Sequence, residues 1–121
     1  MRMNITASTT EDYYYRALKL ISYGAPKGKN LLDSEAALLA KFLDLPPKER
    51  YYPFSTKARK MIAALYVPTV TKQALSQKIT SMVNKGYLIR DEDNFIDFNP
   101  VIKKLLKHED LRIDLLYRPA D

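Results

Sequence analysis

A chain of 121 residues with a formal net charge of +6, 46% hydrophobic and 28% charged residues, has the size and composition of one globular domain, which excludes wholesale disorder. It contains no cysteine, so a disulfide framework and a thiolate metal site are excluded, and a reducing compartment fits. The N-terminal stretch MRMNITASTTEDYYY has no apolar leader core, and no run approaches the roughly 20 apolar residues that span a bilayer; the expectation is a soluble, cytoplasmic protein.

In chain order, Thr9 or Thr10 can cap a first helix over 9–23, with Glu11 and Asp12 favourably placed against the helix dipole and Tyr14, Ala17, Leu18 and Ile21 forming an apolar stripe. The loop GAPKGKN at 24–30 invites comparison with a phosphate-binding loop. It fails, because only three residues separate its first two glycines and Asn30, not Ser or Thr, follows Lys29. Asp33 or Ser34 can cap a second helix over 33–45, with Leu32 as a hydrophobic staple and Pro46 and Pro47 as its stop. PPKERYYPF is an irregular connection.

Ser55 opens a third helix whose Met61, Ile62 and Leu65 are expected to face inward, and Val67 and Pro68 close it. Thr71 caps a fourth, in which Leu75, Ile79, Met82 and Val83 repeat at i, i+4, i+7 and i+8; Gly86 suits its left-handed C-terminal cap. The two are read as a helix-turn-helix over 55–85. The pattern then changes to YLIR and FIDF around the turn DEDN, a hairpin over 87–98. Asn99 and Pro100 start a last helix over 100–108, and the tail, 109–121, alternates like a strand without deciding between strand and short helix. The fold class expected is mainly α with a small β-hairpin (α+β), as one domain.

Charge is unevenly placed. Lys57, Arg59, Lys60, Lys72, Lys78, Lys85 and Arg90 lie in residues 55–90, which contain no acidic residue, whereas 91–121 is net acidic. The order of elements, with VTKQALSQKI at 70–79, NKGYLIRDEDN at 84–94 and LLDSEAALLAKF at 31–42, resembles the winged helix-turn-helix superfamily, and within it small regulators of the MarR type. The resemblance covers about two-thirds of the chain. It implies a sequence-specific double-stranded DNA-binding protein, a transcriptional regulator, working as a homodimer paired through its terminal helices.

The residues agree with that expectation on physical grounds. A recognition helix buries one stripe and leaves its opposite face, above all its first turns, free to enter the major groove. Thr71, Lys72, Gln73, Ser76, Gln77 and Thr80 are the candidate base-reading residues: glutamine pairs with adenine, lysine reaches guanine or phosphate, and hydroxyls tolerate several partners. Lys57, Arg59, Lys60, Lys78, Lys85 and Arg90 are the candidate phosphate contacts. The acidic tip Asp91–Asn94 is expected to stand off from DNA. The other reading is a winged helix that docks on protein in a nucleoprotein, replication or viral assembly complex, through the acidic wing or the terminal segments. Enzymatic activity is not expected, since no nucleophile and base pairing is visible, and with one histidine, His108, neither is a metal site. No cofactor is expected; a third reading is an effector-sensing regulator with a small-molecule pocket between the dimer and wing regions, with no residue that identifies its ligand.

Overall fold

The computed structural model describes residues 9–46, 48–49 and 52–106. Thr9 caps the first helix, α1 (Thr10–Tyr23), its Oγ1 accepting from the Asp12 amide at 3.0 Å. Tyr14, Ala17 and Leu18 are buried, and Tyr13, Tyr15 and Ile21 pack against the core. The apolar groups of α1 are therefore largely used within this chain. Ser22 turns the chain into the next helix: its hydroxyl accepts from the Leu31 amide at 2.7 Å, and Lys19 pairs with Asp33.

The second helix, α2 (Asp33–Leu43), is buried nearly all round, as a helix at the centre of a small core must be. Its start differs from expectation. Neither Asp33 nor Ser34 caps it; Leu32 is the N-cap residue, and the orphan amide there is satisfied by Glu35 Oε1 at 2.8 Å. Leu32 is 60% exposed and makes no staple. Ser34 instead accepts from Lys78 at 3.0 Å. The helix ends at Leu43, and Leu45 beyond it is still buried.

The third helix, α3 (Thr56–Ala63), is capped by Ser55, whose Oγ accepts from the Ala58 amide at 3.1 Å. It has only two turns and buries Ala58 and Ile62. Met61 and Leu65, expected to face inward, are exposed, Leu65 at 59%. The reason is where the helix stops: Leu65 and Tyr66 donate to Ile62 and Ala63 in tighter i to i−3 turns, which rotate Leu65 away from the Ala58–Ile62 face.

The fourth helix, α4 (Lys72–Asn84), is capped by Thr71 and buries Leu75, Ile79 and Met82, with Val83 partly buried. Gly86, at φ +91°, ends it: its amide bonds to Val83 and that of Tyr87 to Met82, each at 3.0 Å, a Schellman motif with Tyr87 and Met82 both buried. The chain then forms β1 (Leu88–Arg90) and β2 (Ile96–Phe98), an antiparallel pair with Leu88 opposite Phe98 and Arg90 opposite Ile96. Asn94, at φ 65°, takes the left-handed position of the connecting turn. Asp91 Oδ1 accepts the amides of Asp93 and Phe95, each at 2.9 Å.

Asn99 caps the last described helix, α5 (Pro100–Lys103), which continues as a 3-10 turn over Lys104–Leu106. The chain is thus mainly helical with one two-stranded antiparallel sheet, an α+β arrangement. α1 lies on α2, α3 and α4 contact each other, β1 follows α4 closely, and α5 lies on β2. A ladder of phenylalanines joins the layers: Phe42 of α2 sits 4.5 Å from Phe54, which sits 5.3 Å from Phe98 of β2. The expected end of the last helix at 108, His108 and the tail 109–121 lie outside the described residues. Among the described residues no helix is long and apolar enough to cross a membrane.

Candidate nucleic-acid interface

An α-helix turns about 100° per residue, so the burial of Leu75, Ile79 and Met82 fixes which side chains of α4 point away from the core. Gln73, Gln77, Thr80 and Asn84 fall on the opposite line, and all four are exposed. Each carries an amide or hydroxyl, and none carries charge. Thr71 is exposed, but its hydroxyl already accepts from the Ala74 amide at 3.1 Å, so its first duty is to start the helix. Lys72 is exposed in the first turn, and Ser76 is half-buried on one flank.

The other flank of α4 faces the start of α2 and is knitted to it. Lys78 donates to Ser34, Ser81 donates to Glu35 Oε2 at 2.6 Å, and Lys85 Nζ lies 2.6 Å from Glu35 Oε1. Glu35 is buried and carries three partners, from Leu32, Ser81 and Lys85. Burial pushes its carboxyl up, but the bonds from Lys85, Ser81 and the Leu32 amide, with the charge of Lys85, outweigh that and hold it below the ordinary glutamate range. This cluster fixes the angle at which α4 is presented.

The six basic residues expected at phosphate therefore divide. Lys85 is committed to Glu35, and Lys57 to Glu49 at 3.0 Å. Lys78 donates to a hydroxyl, that of Ser34, and not to a carboxylate. Arg59 is half-buried on α3, its Nε donating to the Phe54 carbonyl at 2.9 Å; burial, and then the neighbouring charge of Arg90, lower its pKa. Lys60 and Arg90 are exposed and, among the described residues, have no carboxylate partner. With Lys72 they are the cations best placed to meet an anion.

Three contributors were not singled out from the sequence. Asn84 extends the outward line by one turn, and counting four residues on from Thr80 would have found it. Lys29, from the basic loop after α1, reaches the same end of α4 and donates to the Asn84 carbonyl at 3.2 Å. Glu35 gave no signal, since its partner Lys85 is fifty residues away. In the hairpin turn the three carboxylates differ: Asp91 holds its own backbone, while Glu92 and Asp93 are exposed. No family model, curated protein or solved structure significantly matches the chain.

Proposed function

We propose that this protein is a winged-helix protein that binds double-stranded DNA, reads the major groove with α4 and acts as a transcriptional regulator. The observation that carries the reading is the exposed neutral line Gln73, Gln77, Thr80 and Asn84 on a helix flanked by uncompensated cations, in a segment, 55–90, without one acidic residue. Amide side chains present a donor and an acceptor side by side, the arrangement that pairs with the adenine edge. Lys60, Lys72 and Arg90 supply attraction to phosphate without sequence preference. The order α3, turn, α4, hairpin supports the winged-helix reading, and the Glu35 cluster supports it further by holding α4 rigid. Two copies would offer two such helices to half-sites about one helical turn apart.

The test is titration of the full chain into labelled duplexes at several salt concentrations. Tight binding that weakens linearly with the logarithm of salt is expected, together with loss of preference among duplexes in a Gln73→Ala, Gln77→Ala double variant. Absence of binding at low salt, or binding that ignores those two glutamines, overturns the reading.

A further inference from the structure

A second concavity lies away from the outward line of α4. It is a cleft of about 640 Å³ between the irregular segment before α3, the hairpin and the start of α5, within the size range of small-molecule sites. Phe54, Ile96 and Phe98 contribute apolar surface to it. At its rim the rings of Tyr52 and Phe95 lie side by side, centroids 5.9 Å apart and planes tilted by 46°, yet they remain 65% and 58% exposed. Two large rings left in water beside each other form an open stacking platform rather than a finished core contact.

The charges around the cleft are unevenly satisfied. Among the described residues, the three acidic ones that line it are already engaged: Glu49 with Lys57 at 3.0 Å, Asp97 with Lys103 at 2.6 Å, and Asp91 with the amides of its own turn. Arg59 also lines it, oriented by the bond from Nε to the Phe54 carbonyl, and Arg90, between the lining residues Ile89 and Asp91, lies near enough for its charge to act on Arg59. Among the described residues neither arginine has a carboxylate partner. Two like charges within each other's influence, one of them half-buried, are held at a cost that a bound anion relieves, and their planar forks suit phosphate oxygens.

We infer that this cleft binds a nucleoside phosphate, its base stacked on Tyr52 and Phe95 and its phosphate held by Arg59 and Arg90. The platform accepts any base, since every base has a π-face, and the arginines require the anion. The ligand is either a free mononucleotide or an unpaired nucleotide of a single strand; the chemistry of recognition is the same. The site is separate from the base-reading line of α4, since none of Gln73, Gln77, Thr80 and Asn84 lines it, and shares with duplex binding only the cation Arg90.

The test is calorimetric titration of the full chain with AMP, adenosine, inorganic phosphate, benzoate and a short single-stranded oligonucleotide. AMP should bind more tightly than adenosine, phosphate or benzoate, and Tyr52→Ala or Phe95→Ala should weaken it about tenfold or more, the usual effect of losing one stacking ring. Arg90→Gln should erase the advantage of AMP over adenosine. Tyr52, Phe95 and Arg90 are exposed, so unchanged melting temperatures will show that these variants fold; Gln73→Ala should leave AMP binding intact. An oligonucleotide that binds with the same dependence on these residues identifies the strand as the source, and one that does not identifies the free nucleotide. The proposal is overturned if AMP does not bind, if benzoate binds as well, or if the ring variants bind AMP unchanged.

Discussion

Lys85, in the cap position at the end of α4, lies 2.6 Å from the carboxylate of Glu35, in the first turn of α2. The pair joins residues fifty apart in sequence, with Glu35 almost sealed from solvent and Lys85 only slightly open to it. It makes the presentation of α4 depend on α2.

Removing one partner of such a pair leaves a buried charge uncompensated. Lys85→Ala should therefore destabilise the fold by roughly 3 kcal/mol, whereas Glu35→Gln, which retains a hydrogen-bonding group, should cost less. Chemical denaturation of the two variants measures the difference. If Lys85→Ala instead leaves stability unchanged and only weakens DNA binding, the lysine works at phosphate.

The same carboxyl makes stability depend on pH. Its folded pKa is depressed, so the ionised form is favoured by folding. Its contribution is complete above the ordinary glutamate pKa of about 4.3 and is lost as pH falls through the lower folded value. Denaturation midpoints measured from pH 7 to pH 3 should fall less steeply for Glu35→Gln than for the parent.

If α4 reads DNA, the neutral line and the cations should separate cleanly. Gln77→Ala should relax preference at one base position by about 1–3 kcal/mol while leaving salt dependence alone. Lys60→Ala, Lys72→Ala and Arg90→Ala should each weaken binding to all duplexes and reduce the salt slope by about 1. Competition titrations at several salt concentrations distinguish the two classes.

The hairpin carboxylates should also part company. Glu92→Gln with Asp93→Asn should leave sequence preference unchanged and strengthen DNA binding slightly, since both are exposed and only repel phosphate. Asp91→Ala should lower the melting temperature, because two turn amides lose their acceptor. A marked loss of affinity on removing Glu92 and Asp93 would mean that the turn is itself a docking surface.

What the sequence made legible was local. Ser55, Thr71 and Asn99 act as caps and Gly86 as a helix stop because each needs only neighbours a few residues away, and the buried stripe of α4 follows from spacing alone. The early end of α3 was not legible. Leu65 is apolar, and only packing decides that the helix loses its register at Ala63 and turns it outward. The burial of Glu35 was hidden for a different reason: a first-turn glutamate reads as an exposed dipole partner until the distant Ser81 and Lys85 meet it. The cleft beside Tyr52 and Phe95 needed two remote segments to be brought together, so their aromatic character carried no sign of it.

Asn99 joins three elements with one side chain and its own backbone. Its amide nitrogen Nδ2 donates to the Gly86 carbonyl at 2.8 Å, its backbone N–H donates to the Tyr87 carbonyl at 3.1 Å, and Oδ1 accepts from the Ile102 amide at 2.7 Å. The strands thus leave the end of α4 and return to it, closing a ring of chain over 86–99 that is latched at its base. A push on the hairpin from any bound molecule is then passed straight to the last turn of α4 as torque, instead of being absorbed in a slack connection, so the tip of the hairpin becomes a handle on the helix.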